Sequence, residues 1–362
     1  MMVIPMKKSL IVTTQYVNNY GAVLQAFSLK KVLETYGHEV CIMNRGWDEY
    51  IGAEKKHIVR KNIPGYLLGR FYTLKAFHDF KRKYFNLTDP VCNYQDLCNK
   101  SDKFDAVIVG SDQIWNDEIF PIMGLYYFAE SFHHVSKKIA YAVSFGKDTF
   151  VVPERFKSKL LTELQSFNAL SVREVSGIKI LSDLGFKSSL VLDPTLLLAP
   201  SDFPVGKRKH NYKYVCRFLL DETPIKRDFI RKFSNHLNLK EVNNYLNLDF
   251  SFPIIRKVVN NKYIPVSEWL RNIKNAEFVL TDSFHGMVFS ILFHKQFLVF
   301  QNKKRGNARF ESLLGKLGLL DHLISEDEDI NIQYNVIDYK KVDEELKSLR
   351  DISLSFLIDA LK

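Results

Sequence analysis

One ten-residue segment, Thr281–Ser290, is the most informative part of the sequence about chemistry. It offers the imidazole of His285, the carboxylate of Asp282 and the hydroxyl of Ser283. An imidazole exchanges protons near neutral pH, and the N–H groups at a helix start bind anions. The segment therefore predicts a site for an anionic substrate. The alternative interpretation is a helix N-cap at Asp282 or Ser283, followed by a buried histidine.

The residues on either side of this segment place it at the edge of a sheet. Glu277–Leu280 has the length and apolar content of a buried strand, and Gly286–His294 is apolar with helical spacing. In an α/β fold, a turn from a strand into a helix lies at the carboxyl end of the sheet, where open sheets bind ligands. His285 is therefore predicted to act as an acid or base. The neighbouring turn residues expected to contact the substrate are Ser283, Phe284 and Gly286.

Strands and helices are predicted to alternate along most of the chain, from apolar runs and helical spacing. Strands are expected at Leu10–Thr13, Glu39–Met43, Ala106–Val109, Lys138–Val143, Leu170–Arg173, Leu190–Leu192, Tyr214–Leu219, Glu277–Leu280 and Gln296–Phe300. Helices are expected at Ala22–Tyr36, Glu154–Ser166, Glu174–Leu184, Ile225–Leu237, Val266–Asn275, Gly286–His294 and Phe310–Leu317. Such repeated units imply a mostly parallel sheet with helices on both faces. The aromatic-rich stretch Tyr50–Asn99 is expected to be helical or irregular and is assigned to no particular element.

A change in composition divides the chain in two. Residues 199–210 contain two prolines, a glycine and a charge cluster, which is typical of a linker. We predict an N-terminal Rossmann-like domain over residues 1–198, a linker over 199–211 and a second Rossmann-like domain over 212–340. Residues 341–362 are predicted to form one long amphipathic C-terminal helix. The predicted fold class is α/β, with two Rossmann-like domains facing a central cleft.

The composition is that of a globular protein, with 46% hydrophobic and 25% charged residues in a chain of 362. No apolar run reaches the roughly 20 residues that span a bilayer, and the first residues lack the apolar core and cleavage site of a signal peptide. The four cysteines have no metal-binding or redox spacing, which favours reduced cysteines. These features predict a soluble cytoplasmic protein.

The net charge of +10 admits three kinds of partner: nucleic acid, an anionic membrane surface or an acidic substrate. The densest basic clusters are Lys81–Lys83, Lys207–Lys209 and Lys303–Arg305. None repeats with interleaved aromatic residues as a nucleic-acid surface would, so no nucleic-acid partner is expected. The default interpretation is that these basic residues form a solvated surface. The next is that they form a basic rim around an anionic substrate or make peripheral contact with the inner face of a membrane.

Six motifs, in order across most of the chain, resemble those of the polysaccharide pyruvyl transferase family. They are Asn18–Ala26, Val109–Asn116, Ala140–Gly146, Ser171–Glu174, Val191–Thr195 and Thr281–Gly286. The resemblance implies a GT-B-like pair of Rossmann-type domains. It also implies transfer of the enolpyruvyl unit of phosphoenolpyruvate onto a sugar as a ketal, in a polysaccharide or its lipid-linked precursor. One position departs from the pattern, because several members carry an arginine where this chain has Ser283.

The chemistry of ketal formation assigns roles to the motif residues. Protonating the vinyl carbon of phosphoenolpyruvate leaves an oxocarbenium-like carbon, which sugar hydroxyls attack while phosphate leaves. Such a site needs an acid, a base and cations for the carboxylate and phosphate. Asp112 is predicted as the base or as a group that orients the acceptor, with a helix N-cap as the alternative. Arg173 is predicted to bind a carboxylate or phosphate, with an ion pair to Glu174 as the alternative.

Further residues are predicted to contact substrate because they lie in the same turns or add positive charge. They are Asn18, Asn19, Tyr20, Gly21, Ser111, Arg305 and Arg309. No metal is expected, since no cluster of His, Cys, Asp or Glu has ligand spacing: His133 and His134 are adjacent and would point apart. No cofactor is expected beyond phosphoenolpyruvate as donor substrate, and the acceptor is a sugar or a lipid-linked oligosaccharide. Two alternatives remain open: a nucleotide-sugar glycosyltransferase of GT-B type, and a non-catalytic member that binds sugars or anions.

Overall fold

The computed structural model describes residues 7–15, 17–44, 75–91, 94–118, 125–128, 132–245, 263–302, 305–327 and 335–362. Much of the unassigned stretch Tyr50–Asn99 lies outside these residues, as do Cys92 and the Lys303–Lys304 part of one basic cluster. Contacts divide the described residues into two units. The first unit takes the residues up to 44, those within Tyr84–Leu198 and Glu345–Lys362. The second takes residues 75–83 and those within Ala199–Glu344.

This grouping differs from a simple succession of two domains in two places. Residues 75–83, which lie early in the sequence, group with the second unit. Most of the C-terminal helix groups with the first unit, where Ser353 Oγ accepts a hydrogen bond from Leu192 N at 2.9 Å. Arg350 Nε donates to Leu196 O at 2.8 Å in the same unit. The predicted linker groups with the second unit, and Phe203 within it is buried.

The first unit is built on a six-stranded parallel sheet with the order β2-β1-β3-β4-β5-β6. Its strands are β1 Lys8–Val12, β2 Glu39–Ile42, β3 Ala106–Val109, β4 Lys137–Val143, β5 Ala169–Val172 and β6 Ser189–Leu190. Its helices are α1 Tyr20–Thr35, α2 Tyr94–Ser101, α3 Glu154–Gln165 and α4 Val175–Asp183. The central strand β3 is buried at all four positions, as expected for a parallel strand covered on both faces.

The second unit is built on a five-stranded parallel sheet with the order β11-β10-β9-β7-β8. Its strands are β7 Tyr214–Phe218, β8 Lys240–Asn243, β9 Phe278–Thr281, β10 Gln296–Phe300 and β11 Leu323–Ile324. Its helices are α5 Pro224–His236, α6 Val266–Lys274, α7 Phe284–Leu292 and α8 Ala308–Lys316, and residues 75–83 are helical. The terminal helix α9, Tyr339–Leu361, begins in this unit and continues into the first.

Both sheets use one strand order. If the strands of each unit are counted from one, the order begins 2-1-3-4-5 in each case. In this order the chain runs outward in opposite directions from the first and third strands. The crevice at their carboxyl ends is therefore the expected ligand site. These two points lie between β1 and β3 in the first unit and between β7 and β9 in the second.

The predicted α/β fold class is confirmed, because both sheets are parallel and helices alternate with the strands. The long C-terminal helix is confirmed as well. The strands β8 and β11 and the helices at 75–84 and Tyr94–Ser101 were not assigned from the sequence. Within the described part of the chain, no helix has the length and apolar content to cross a membrane.

Candidate functional site

In the first unit, a strained turn holds Asp112 at the carboxyl end of β3. Asp112 has a φ of +79°, a region that few residues other than glycine adopt but in which Asp is enriched. Gly110 precedes it with a φ of +127°, and a Cβ there would lie 2.1 Å from Tyr141 O. Glycine is therefore needed at position 110. Residues held in such rare conformations cluster at functional sites.

Hydrogen bonds orient the Asp112 carboxylate, which remains partly exposed. Its Oδ1 accepts hydrogen bonds from Gln113 N at 2.9 Å and from Arg173 Nη2 at 3.2 Å. Its Oδ2 accepts a bond from Thr14 Oγ1 at 3.0 Å. The side chain is 20% exposed. Asp112 is thus fixed in orientation and can still meet a substrate hydroxyl.

Arg173 is buried among three carboxylates of the protein. Its side chain is only 1% exposed, and Nη1 donates to Asp193 Oδ2 at 2.5 Å. Glu174 Oε2 lies 4.0 Å from Nε, and Asp112 Oδ1 accepts the hydrogen bond from Nη2. Burial lowers the pKa of Arg173, but Asp193, Asp112 and Glu174 raise it by more, so the guanidinium stays charged. The donors predicted to bind a substrate anion are therefore engaged by protein carboxylates, and the Glu174 ion pair is one of these contacts.

The two fully buried carboxylates of this cluster also organise the backbone around it. Asp193 Oδ1 accepts bonds from Thr195 N at 3.0 Å and Thr195 Oγ1 at 2.6 Å, which caps a short 3-10 helix. Glu174 Oε1 accepts bonds from Phe145 N at 2.7 Å and Gly146 N at 3.3 Å. Asp193 and Glu174 thus tie the segments after β6 and β4 to Arg173.

The other first-unit residues predicted to contact substrate mostly serve structure. Asn19 is the N-cap of α1, its side chain accepting bonds from Gly21 N and Ala22 N, while Tyr20 and Gly21 are buried. Ser111 is also buried: its Oγ donates to Ala142 O at 2.7 Å, and its N donates to Gln25 Oε1 at 2.9 Å. Asn18 is half-buried at the start of the same turn. Their roles in substrate binding remain predictions.

In the second unit, the turn after β9 is built so that α7 can approach the sheet closely. Ser283 is the N-cap of α7, its Oγ accepting a bond from Gly286 N at 3.3 Å, as the alternative interpretation anticipated. Thr281 Oγ1 donates to Phe218 O at 2.6 Å and accepts a bond from Ser283 N at 3.1 Å. A Cβ on Gly286 would lie 2.4 Å from that oxygen, so glycine is required where the helix crosses the strand.

Asp282 joins the loop after β9 to the loop after β7, at the crevice of the second sheet. It is 1% exposed and accepts bonds from Leu220 N at 2.6 Å and Asp221 N at 3.1 Å, both just after β7. Lys226 Nζ, on α5, donates to Asp282 Oδ2 at 2.9 Å. A buried ion pair of this kind is costly to break from one side. Asp282 therefore supports the site and does not cap α7.

His285 occupies the first turn of α7, at the carboxyl end of the second sheet. The residue is 7% exposed, and its ring contacts the ring of Phe284 edge-on, with 5.3 Å between centroids. The Arg309 guanidinium lies 5.7 Å from the centroid of the same Phe284 ring. The positive end of the α7 dipole, the imidazole and an arginine are thus gathered around one turn.

A second arginine lies beside the same crevice. Arg305 Nε donates to Asp221 Oδ2 at 2.8 Å, and Asn302 Nδ2 donates to the same oxygen at 2.8 Å. The Arg305 side chain is 46% exposed. Burial raises the pKa of Tyr245 and of Tyr263, and Arg305 lies close enough to both to oppose that rise. Arg305 is thus a charged group open to solvent beside two tyrosines.

Each unit thus gathers some of the predicted residues at its own crevice. The first brings Asp112 and Arg173 together, and the second brings together His285, Phe284, Arg305 and Arg309. The sequence alone predicts no role for Asp193, Lys226 or Asp221. Asp193 had a local signal, since Asp-Pro-Thr is a typical start of a short helix. Among the described residues, no group of three His, Cys, Asp or Glu side chains is placed to hold a metal ion.

Comparisons with known proteins identify a family and a fold. A sequence profile described as polysaccharide pyruvyl transferase matches residues 19–304. No curated protein matches the chain. The spinosyn forosaminyltransferase SpnP is similar in structure, with a TM-score of 0.50, 12% identity and coverage of 96% of this chain and 95% of that chain. This likeness shows the fold alone, that of a glycosyltransferase with two Rossmann-like domains.

Two further solved structures are similar over most of their length. The UDP-GlcNAc 2-epimerase from Methanocaldococcus jannaschii has a TM-score of 0.48 and 13% identity, covering 94% of this chain and 92% of that chain. The UDP-GlcNAc 2-epimerase from Neisseria meningitidis, bound to UDP-GlcNAc, has a TM-score of 0.45 and 10% identity, covering 98% and 94%.

Proposed function

Because this chain belongs to the polysaccharide pyruvyl transferase family, we propose that it transfers the pyruvyl group of phosphoenolpyruvate to a sugar as a ketal. The acceptor is a sugar of a polysaccharide or of its lipid-linked precursor, met in the cytoplasm or at the inner face of the membrane. The observation that carries the proposal is the second-unit crevice. There, His285 lies at the start of α7, the Arg309 guanidinium lies over the ring of Phe284, and Arg305 pairs with Asp221 after β7. An acid, cations and a helix start are the groups that a donor with a carboxylate, a phosphate and a protonatable carbon requires.

We assign the donor to this crevice. Phosphoenolpyruvate carries a carboxylate and a phosphate, which Arg305, Arg309 and the start of α7 can bind. His285 protonates the vinyl carbon, which leaves a positively charged C2. Attack by a sugar hydroxyl on C2, followed by loss of phosphate and ring closure by a second hydroxyl, gives the ketal. Ser283 here caps the helix, so the positive charge comes from Arg305 and Arg309.

We assign the acceptor hydroxyl to Asp112. Each attacking hydroxyl must lose a proton, and a positioned carboxylate can accept it. Asp112 is partly exposed, and contacts with Thr14, Gln113 and Arg173 fix the orientation of its carboxylate. Arg173 acts through Asp112 in this proposal and does not touch the donor.

The experiment that tests the function is an assay of phosphate release. The protein is incubated with phosphoenolpyruvate and a panel of sugar and lipid-linked acceptors, and the product is examined by mass spectrometry for the added pyruvyl ketal. Acceptor-dependent phosphate release with ketal formation supports the proposal. Transfer from UDP- or GDP-sugars with no reaction of phosphoenolpyruvate would instead identify a nucleotide-sugar glycosyltransferase. Binding of acceptors with no turnover of either donor would identify a non-catalytic member.

Phosphoenolpyruvate should raise the melting temperature of the protein. A ligand at a hundredfold excess over its Kd stabilises the native state by about 2.7 kcal/mol, which raises the melting temperature of units of this size by roughly 5–11 °C. Phosphate or pyruvate alone makes fewer of these contacts and should give a smaller shift. A nucleoside diphosphate should give no specific shift. The measurement is differential scanning fluorimetry with millimolar ligand.

A matched pair of variants locates this stabilisation. Arg305→Gln should remove most of the shift, because it deletes an exposed guanidinium of the donor crevice. Arg227→Gln is the control, since Arg227 is also an exposed arginine of the second unit paired with a carboxylate, Glu222, at 3.3 Å. Equal shifts in the two variants would place the donor away from Arg305.

Transfer should survive treatment with EDTA. Protonation of the enol phosphate requires an acid and anion contacts but no Lewis acid, so removing divalent ions should leave the rate within about twofold, since the acid–base contribution is untouched. The check is the phosphate-release assay before and after chelation. Loss of activity with recovery on adding Mg²⁺ or Mn²⁺ would show that a metal neutralises the donor, as a nucleotide-sugar enzyme can require.

A further inference from the structure

We propose that Asp193 and Glu174 are positioning residues: they occupy Arg173 and so leave the carboxylate of Asp112 able to accept a proton. The proposal rests on the function proposed above for the role of Asp112, but its central measurement needs no substrate. The motif that carries Asp193, Val191–Thr195, and the Glu174 that follows Arg173 have no other part in the proposed chemistry.

The three carboxylates around Arg173 differ in their distance from its guanidinium nitrogens and in their exposure. Asp193 has the closest contact, 2.5 Å from Oδ2 to Nη1, and its side chain is fully buried. Asp112 is 3.2 Å from Nη2, and Glu174 is 4.0 Å from Nε and fully buried. With all four groups ionised, one positive charge faces three negative charges. Among the three carboxylates Asp112 alone is partly exposed, so it is the one that can meet a hydroxyl and change its protonation state.

An ion pair with Arg173 alone would make Asp112 a weak base. An arginine within about 4–6 Å of a carboxylate favours its ionised form, and a carboxylate stabilised in this way is a weak base. Additional carboxylates beside the same arginine have the opposite effect, because like charges disfavour ionisation. Asp193 and Glu174 therefore offset the influence of Arg173 on Asp112. Their own ionised forms are stabilised by bonds from Thr195 and from Phe145 and Gly146.

The groups that face this cluster come from several elements of the first unit. Arg173 follows β5, Glu174 precedes α4, Asp193 follows β6 and Asp112 follows β3. Tyr141, on β4, lies beside Asp193, and burial together with Asp193 raises the pKa of this tyrosine well above its usual range, so it stays neutral. The hydroxyls of Thr14 and Ser111 face the cluster uncharged. Among the groups named here, Arg173 carries the positive charge.

The test follows the titration of Asp112 directly. Aspartate is labelled with ¹³C at the carboxyl carbon, and the Asp112 signal is assigned by its absence in Asp112→Asn. In Asp193→Asn, the midpoint of this titration should fall by about one pH unit, because Arg173 then acts on Asp112 with one opposing charge fewer. Glu174→Gln should shift the midpoint in the same direction by less, since Glu174 lies farther from the guanidinium.

Activity gives a second readout that a purely structural role would not move. The acidic limb of the pH profile of kcat/KM should move to lower pH together with the titration midpoint of Asp112. The plateau value of kcat/KM should fall by roughly tenfold, because Asp112 becomes a weaker base. KM for phosphoenolpyruvate should stay unchanged. An inactive wild-type protein would reject the pyruvyl-transfer proposal, while the titration would still decide the role of Asp193 and Glu174.

The control is Glu163→Gln, which removes another buried carboxylate of the first unit. Glu163 lies on α3 and is 3.8 Å from His133. This variant should leave the Asp112 midpoint unchanged. If Asp193→Asn does not fold, Glu174→Gln carries the same prediction with its backbone bonds kept through Oε1. An unchanged midpoint in the folded variants overturns the proposal.

Discussion

His285→Gln is expected to lower kcat/KM for pyruvyl transfer by at least about 100-fold, the lower range of a general acid–base contribution. Glutamine approximates the volume of histidine but cannot protonate carbon near neutral pH. The Ser283 cap and the Gly286 contact do not involve the imidazole, so α7 should stay in place. The measurement is the phosphate-release assay with saturating acceptor. Retention of more than about a tenth of the wild-type value would mean that another group is the acid.

A second buried histidine of the same unit supplies the control. His322 is 1% exposed, and its Nδ1 lies 2.9 Å from Phe297 O. His322→Gln should lower the melting temperature with little change in kcat/KM. His285→Gln should lower kcat/KM with little change in the melting temperature. If His285→Gln instead melts well below wild type and keeps its activity, His285 is a core residue.

Asp112→Asn is expected to lower kcat by at least about 100-fold, because the attacking hydroxyl loses its base. Asparagine tolerates the positive φ of this position nearly as well as aspartate, so the turn after β3 should survive the change. KM for phosphoenolpyruvate should stay close to wild type, because the donor is assigned to the other unit. The measurement is steady-state kinetics with both substrates varied.

Asp202→Asn provides a comparison for the same chemical change. Asp202 Oδ2 accepts a bond from Ala199 N at 2.9 Å in the second unit, and Asp202 has no part in the proposed chemistry. This variant should keep its kcat. Wild-type kcat in Asp112→Asn would rule out a catalytic base at this position. A rise in KM for phosphoenolpyruvate with unchanged kcat would place the donor at Asp112 instead.

Local sequence patterns were sufficient to predict the turns that carry His285 and Asp112. In each case an apolar run of strand length leads into the polar turn. In parallel sheets such turns lie at one edge. The strands Ala106–Val109 and Gln296–Phe300 have the bounds predicted for them. The short strand Lys240–Asn243 was missed because its burial pattern is exposed or half-buried, so it lacks the apolar signal.

The partners of charged side chains could not be read from the sequence. Arg173 pairs with Asp193, 20 positions later, and Lys226 pairs with Asp282, 56 positions later. Sequence spacing carries no information about such contacts, which depend on which strands lie side by side. The sequence therefore indicated that Arg173 would meet an anion, and the structure supplies protein carboxylates where a substrate was expected.

The C-terminal segment imposes an order on the folding of the newly made protein. Glu345–Lys362 belongs to the first unit, yet the ribosome makes it only after the whole of the second. Until then, Leu192 N and Leu196 O lack Ser353 and Arg350, their partners on either side of Asp193. Domains usually fold in the order of their synthesis, and contacts distant in sequence form slowly. Here the N-terminal unit is started first and completed last, so its Asp193 segment stays without these bonds while the second unit emerges.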